Sequence, residues 1–143
     1  MSAPESNVEK IRGLWEAFEN EGFATAAELV EQAFADDVEF NPLAAGGAGG
    51  RTYRGRDGMM AFFGELAEGF ADVGFEPVEC HPVGEEIVVA FTRMVGTAKE
   101  TGLPMRQDLS LVYEFGEGQV QCVTAYESPA EALEAAQKGH ADA

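Results

Sequence analysis

Basic residues are scarce in this chain. Nine lysines and arginines stand against 26 acidic residues among 143, which gives a net charge of −17. Because contacts to phosphate need lysine and arginine, this balance argues against nucleic acid and against an anionic membrane surface as partners. The sequence also lacks an apolar run long enough to span a membrane and a basic-then-apolar export signal at its start. We therefore expect a cytoplasmic protein whose acidic surface serves mainly its solubility.

Potential metal ligands and reactive thiols are also few. The chain has two cysteines and two histidines. Cys80 and Cys122 form no CxxC pair, so we expect both to be buried thiols. His81 and His140 lie far apart in the sequence and are not part of a ligand cluster. The sequence therefore predicts no metal site and no cofactor.

Length and low-complexity segments define the domain organisation. A chain of 143 residues is expected to form one domain, 1–143, with a core of normal size. The glycine-rich segment 44–50 lacks the GK[ST] ending of a phosphate-binding loop, so we expect a flexible loop there. Segment 138–143 is expected to be a disordered tail.

Helical signals dominate the first half of the sequence. A hydroxyl at the cap with a carboxylate three residues later, which can satisfy backbone N–H groups reciprocally, occurs three times. The pairs are Ser6 with Glu9, Thr25 with Glu28, and Ser128 with Glu131. Apolar spacing predicts helices over residues 7–21, over 26–35 and after Asp57, and the last pair predicts a short C-terminal helix.

The second half of the sequence changes to alternating periodicity. Strands are predicted over residues 75–81, 86–98, 105–115 and 119–127, joined by glycine-containing turns. Helices followed by an antiparallel meander predict an α+β fold in which about three N-terminal helices pack on one face of a curved sheet.

Three segments carry a resemblance to a known family. The first is FADDVEFNP at residues 34–42, interpreted as a helix that ends at Asp36-Asp37 and a strand from Val38 to Asn41 that Pro42 breaks. The others are YRGRDG at 53–58 and GEGQVQCVTAYESPAEALEAA at 116–136. Together with the element order, they resemble the SnoaL-like group of the NTF2-like superfamily over about residues 7 to 137. The resemblance implies a conical pocket between sheet and helices, and homodimers packed through the sheet.

Enzymes of this fold can be compared with the chain residue by residue. Steroid isomerases use a carboxylate, a tyrosine and a protonated acid, at positions that correspond here to Asn41, Leu14 and approximately Leu111. Epoxide hydrolases use an Arg-x-Asp strand and a second Asp, which correspond to 93–95 and Ala125. Only the arginine, Arg93, is retained. The resemblance therefore argues against both reactions and leaves a SnoaL-type cyclase open.

Strand alternation gives a candidate set for the pocket. If Arg93 points inward with Phe91 and Val95, then Glu127 on the last strand is its candidate partner. Glu127 could act as an acid or base with Arg93 stabilising negative charge, or the two could form a structural ion pair. The full candidate set consists of catalytic Glu127 and Arg93 and ligand-binding Trp15, Asn41, Gln107 and Tyr113.

Two function classes follow from this set. One is a protein that binds a small apolar molecule in the pocket without catalysis. The other is a cofactor-free isomerase, cyclase or lyase that uses a pocket carboxylate. A homodimer is predicted from apolar residues assigned to the sheet face opposite the pocket, namely Val88, Ala90, Met94, Val112 and Cys122.

Overall fold

The computed structural model describes residues 3–21, 28, 31–41, 53–126 and 128–142. Helix α1 spans Ala3–Glu21. Residues 28 and 31–33 are also helical and are called α2. The remaining elements are β1 (Phe34–Asn41), β2 (Tyr53–Arg54), α3 (Gly55–Gly69), β3 (Phe70–Val83), β4 (Ile87–Ala98), β5 (Pro104–Gly116), β6 (Gln119–Tyr126) and α4 (Pro129–Asp142).

Six strands form one sheet in the order β2-β1-β6-β5-β4-β3. The four strands of the second half pair antiparallel in sequence order, which confirms the predicted meander. Strand β1 instead pairs parallel to β6, with Phe40 opposite Val123. The sheet is therefore mixed, and among the described strands the one parallel pair joins the first half of the chain to the last strand.

The strand registers define two faces of this sheet. The face that packs against α1 and α3, here called the inner face, carries Val88 and Ala90 of β4 opposite Tyr113 and Leu111 of β5. The opposite, outer face carries Ile87, Val89 and Val112. Because directly paired residues of antiparallel strands lie on the same side, these registers place every residue of β4 and β5 on one face or the other.

Helices lie on both sides of the sheet. Ile11 of α1 is fully buried against the inner face, together with Met59 of α3. On the outer face, Ala132 and Ala136 of α4 are both 0% exposed and pack against Val89 and its neighbours. The predicted packing of N-terminal helices on one face is therefore confirmed for α1 and α3, and the C-terminal helix α4 packs on the other face.

Two predicted element boundaries in the first half are wrong. Helix α1 begins at Ala3, so Ser6 lies within the helix and does not cap it; Pro4 instead supplies a preset φ in the first turn. The strand in FADDVEFNP begins at Phe34, since Phe34 pairs with Val120 of β6 and is almost completely buried. Sheet pairing and burial outweigh the helical signal that preceded it.

The C-terminal helix begins as predicted. The backbone N–H of Glu131 donates to Ser128 Oγ at 3.2 Å, which is the expected capping contact. The helix continues through Asp142, so residues 138–142 are helical in place of the predicted disordered tail.

Thr25 and the glycine-rich segment 44–50 lie outside the described residues. Within the part of the chain that the structure describes, no helix is long and apolar enough to cross a membrane.

Candidate ligand-binding face

Arg93 lies on the outer face, which corrects its assignment to the pocket. It pairs in register with Asp108, and its Nε donates to Asp108 Oδ1 at 2.8 Å. The same alternation places Phe91, which packs with the α4 cluster, on the outer side. Val88, Ala90 and Met94 therefore face inward, so three of the five residues from which the homodimer was predicted are not on the outer surface.

Asn41 also faces outward, so its prediction as a pocket residue is corrected as well. Its Nδ2 lies 3.3 Å from Thr124 Oγ1 and 3.7 Å from Cys122 Sγ, in line with its pairing opposite Thr124. The inward side chains of β1 are its neighbours in the alternation, Val38 and Phe40. A pocket polar group at the end of β1 is therefore absent from the described residues.

Tyr113 occupies the centre of the inner face. It pairs with Val88 of β4 and Val123 of β6, and it is only 3% exposed. Burial raises the pKa of the Tyr113 hydroxyl well above its usual range, and the neighbouring Cys80 thiol adds to this effect. The hydroxyl therefore stays protonated at any physiological pH.

Trp15 of α1 lies over the same part of the inner face. Its ring packs against the core cluster that contains Tyr113, and its indole nitrogen is fully buried. The Trp15 indole favours the ionised form of the Tyr113 hydroxyl, which opposes the larger effect of burial on the pKa of Tyr113. Trp15 therefore brings an apolar ring and a hydrogen-bond donor to this part of the inner face, and its role in ligand binding stays a prediction.

Cys80 is the inner-face residue that the sequence reasoning missed. It pairs opposite Ala90 on β3 and packs, half-buried, against the same core cluster. Burial raises the pKa of its thiol, while the nearby Arg12 guanidinium acts in the opposite direction. The alternation of β3 was the signal for it, since Cys80 lies between two exposed residues, Glu79 and His81.

One end of the inner face is less covered than its centre. Gln107 pairs with Met94, and Met105 pairs with Gly96; all four residues are half-buried. Thr92 and Leu109, one pair closer to the centre, are buried. Gln107 therefore lies on the inner face as its strand alternation predicts, at the margin of the enclosed region.

An aromatic group borders the inner face beside α3. Phe40 and Phe62 have ring centroids 4.8 Å apart, and Tyr53 meets Phe62 edge-on at 5.4 Å. The Tyr53 hydroxyl donates to Glu65 Oε2 at 2.5 Å on the exposed side. These three rings form an apolar wall, and the Tyr53 hydroxyl is directed away from the core.

The polar side chains at the described inward positions of β4 to β6 are neutral. Within the described residues, the inward positions of β4, β5 and β6 carry Thr92, Gln107 and Tyr113 but no Asp, Glu, Lys or Arg. No group of His, Cys, Asp and Glu that could hold a metal ion occurs in the described part of the chain. Glu127, the predicted acid–base residue, lies outside the described residues.

Proteins of known structure share this architecture. No curated protein matches the chain by sequence. An NTF2-like protein of unknown function from Burkholderia pseudomallei superposes with a TM-score of 0.71 at 23% identity, covering 90% of this chain and 95% of that one.

Two further solved structures are similar at lower identity. A protein from Jannaschia sp. CCS1, provisionally assigned as a SnoaL-like polyketide cyclase, is 15% identical with a TM-score of 0.71, and the match covers 96% of this chain and 95% of that one. TerC, co-crystallised with polyporic acid, is 18% identical with a TM-score of 0.70, and covers 92% and 98% respectively. At these identities the likeness shows the fold.

The sequence profile of the SnoaL-like domain matches residues 11–123, which is most of the chain. The matched region runs from α1 to β6 and so includes the inner face described above. The chain therefore belongs to the SnoaL-like domain family and has the NTF2-like fold.

Proposed function

We propose that this protein binds a small, mostly apolar molecule on the inner face of its sheet. The observation that carries the proposal is the contrast between a buried apolar floor and half-buried residues around it. The floor includes Val88, Leu111 and Val123, whereas Trp15 and Phe62 are only partly buried against it. Such an apolar surface with a few convergent polar groups is the usual composition of a small-molecule site.

The family context supports this reading. A protein of the same fold, TerC, has been crystallised with polyporic acid. For the present chain this supports a small organic molecule as the class of ligand. It does not identify the ligand, because the two sequences are 18% identical.

Binding without catalysis is favoured over the alternative of an isomerase, cyclase or lyase. A general acid or base must lie within hydrogen-bond reach of the reacting atom, and the described inward positions of β4 to β6 carry no carboxylate. Glu127 is our remaining proposal for an acid–base residue. If it acts so, Glu127→Gln should abolish turnover of any substrate found while leaving the melting temperature and ligand affinity unchanged.

A homodimer and a cytoplasmic location are also proposals. Of the residues from which the dimer was predicted, Val112 and Cys122 lie on the outer face, and Val112 packs with the α4 cluster. A dimer formed through this face must therefore include the outward side of α4. Light scattering that gives twice the mass of one chain would support the dimer, and the mass of a single chain at micromolar concentration would contradict it.

The intrinsic fluorescence of Trp15 tests the binding proposal directly. Trp15 is the only tryptophan of the chain, so its emission reports on the inner face alone. We expect saturable changes on titration with small aromatic hydrocarbons, accompanied by an increase in melting temperature as ligand binds the folded state. Arg93→Leu, on the outer face, is the matched control and should titrate like the wild type. The absence of any saturable change or thermal shift with small apolar molecules would overturn the proposal.

A further inference from the structure

We propose that the second half of α1 opens as a lid about a hinge at Gly13, and that this opening admits ligands to the inner face. The moving part, residues 14–21, is here called the lid half, and residues 3–12 are called the anchored half. The role of the lid half as a ligand entrance rests on the proposed function, whereas the motion itself does not.

The anchored half is fixed to two turns of the sheet. Asn7 Nδ2 donates to the backbone carbonyl of Glu85 at 3.0 Å, in the turn between β3 and β4. Lys10 Nζ donates to the carbonyl of Gly118 at 2.7 Å, in the turn between β5 and β6. The strand register places both turns at the same end of the sheet. Contacts to two separate hairpins therefore hold this half of the helix in place.

Burial decreases from the anchored half to the lid half. Val8 is 7% exposed and Ile11 is 0% exposed, whereas Leu14 and Trp15 are only partly buried against the same core cluster. Segments that open locally are those with fewer buried apolar contacts. Opening of the lid half exposes side chains that already contact water, and the fully buried side chains of the anchored half stay in place.

Gly13 lies between the two halves, in the interior of a 19-residue helix. A Cβ at this position would meet no atom of the described residues within 4 Å, so packing does not require a glycine. Glycine is less favourable than alanine in a helix interior, because it loses more conformational freedom when it becomes helical. Gly13 therefore weakens α1 at one point without a packing advantage, and hinges are often small residues of this kind that absorb the change in φ and ψ.

The lid half covers the apolar centre of the inner face. Leu14 and Trp15 pack against the core cluster that contains Leu111 and Val123. When the lid half opens, this cover is removed and a small apolar molecule can reach the floor of the inner face. Closure then encloses the molecule between α1 and the sheet.

Amide hydrogen exchange measured by NMR tests the hinge on the unliganded protein. The N–H groups of residues 14–17 bond to the carbonyls of residues 10–13, so these hydrogen bonds break when the helix opens at Gly13. We expect lower protection factors for residues 14–17 than for residues 9–12. Ordinary fraying gives the opposite order, because it starts at the ends and leaves the middle of a helix the most protected.

Two matched glycine substitutions extend this measurement. Gly13→Ala should raise the protection factors of residues 14–17 roughly two- to fivefold, which corresponds to the difference in helix propensity between glycine and alanine. Gly64→Ala is the control, because Gly64 lies in the interior of α3 and an added Cβ there would also meet no atom of the described residues within 4 Å. It should leave the exchange of α1 unchanged.

Binding kinetics test the entrance. With ethylbenzene as the probe, stopped-flow measurement of the emission of Trp15, the only tryptophan, gives the association and dissociation rate constants. Because the ligand passes the open lid half on the way in and on the way out, Gly13→Ala should lower both rate constants roughly two- to fivefold and leave Kd unchanged. Gly64→Ala should change none of the three.

The outcomes separate the lid from the proposed function. If residues 14–17 are at least as protected as residues 9–12, or if Gly13→Ala and Gly64→Ala affect their exchange equally, the hinge is wrong, and saturable binding of ethylbenzene would still support the proposed function. If exchange is as expected but Gly13→Ala leaves the rate constants for ethylbenzene unchanged, the lid half is not the entrance. If exchange is as expected and ethylbenzene does not bind, the hinge is supported and the result counts against the proposed function.

Discussion

Arg93 and Asp108 face each other across β4 and β5, and their side chains meet at 2.8 Å on the outer face of the sheet. The two side chains are 36% and 71% exposed. Exposed ion pairs of this kind stabilise proteins by at most about 1 kcal/mol. The arginine that the sequence suggested for catalysis is therefore part of a surface ion pair on the side of the sheet away from the core.

The first prediction follows from this pair. Arg93→Leu should leave the affinity for an apolar ligand unchanged and lower the free energy of unfolding by less than about 1 kcal/mol. Asp108→Asn is the matched control and should have a similar effect, with the double variant close to either single one. Urea denaturation and fluorescence titration provide the measurements. If Arg93→Leu lost ligand binding and Asp108→Asn did not, the result would contradict this prediction and indicate that Arg93 contacts the ligand.

The types and order of the elements in the second half could be predicted from the sequence, but the faces of β4 could not. Ile87, Val88, Val89 and Ala90 are all buried, because α4 covers one side and α1 the other. Strands that are buried on both faces lose the alternation that marks a core side. Because residues 87–90 are all apolar, they do not mark which side of β4 faces the core, and the inward assignment of Arg93 depended on the resemblance.

For Asn41, by contrast, the sequence pattern indicates the correct face of the sheet. Val38 and Phe40 are apolar and alternate with Glu39 and Asn41 across the end of β1. Simple alternation places Asn41 opposite the core side, and its contacts with Thr124 and Cys122 agree with that placement. Strand β5 gave a similarly clear signal, and the structure has Gln107 and Tyr113 on its inner side.

The second prediction concerns the contact between α4 and the outer face. Ala132 is completely buried in that contact, so Ala132→Leu should overpack it and lower the free energy of unfolding by about 1–3 kcal/mol. Ala130→Leu, at an exposed position of the same helix, is the matched control and should change it by less than about 0.5 kcal/mol. Chemical denaturation measures both. Equal stability of the two variants would show that α4 does not pack on the sheet in solution.

The third prediction concerns the reactivity of Cys122. Burial raises the pKa of its thiol to about 11, and the nearby Glu114 and Glu39 carboxylates act in the same direction against a hydrogen bond from Thr124. The reactive species is the thiolate, which becomes scarcer as the pKa increases although it is intrinsically more nucleophilic. Near neutral pH, alkylation by iodoacetamide should therefore be about tenfold slower in the folded chain than in the urea-unfolded chain.

The pH dependence of this reaction provides its check. In Cys80→Ser, which leaves Cys122 as the only thiol, the alkylation rate should rise until pH about 11. Because the folded pKa is the higher one, the folded state binds more protons above the ordinary thiol pKa, and stability should decrease as pH rises through that window. Cys122→Ser should lessen this decrease. A rate that levels off near the pKa of an exposed cysteine would contradict the prediction.

The last prediction concerns Asn7, which joins α1 to the turn between β3 and β4. Its Nδ2 donates to the backbone carbonyl of Glu85 at 3.0 Å, and the residue is only 7% exposed. Asn7→Ala removes one hydrogen bond and should cost about 1 kcal/mol of unfolding free energy. Asn7→Asp has nearly the same shape but places a carboxylate against the carbonyl oxygen, so it should cost about 2 kcal/mol or more at neutral pH.

Acidification should reverse the order of these two Asn7 variants. Burial beside a carbonyl raises the pKa of the introduced carboxyl, so the folded Asn7→Asp chain binds a proton more readily than the unfolded chain, and its stability should increase as pH falls. Once protonated, the acid can donate to the Glu85 carbonyl as the amide does, whereas Asn7→Ala cannot. Urea denaturation of both variants at matched pH separates this effect from the titration of the rest of the chain. If Asn7→Asp stays the less stable variant at acidic pH, the contact between Asn7 and Glu85 does not anchor α1 to this turn.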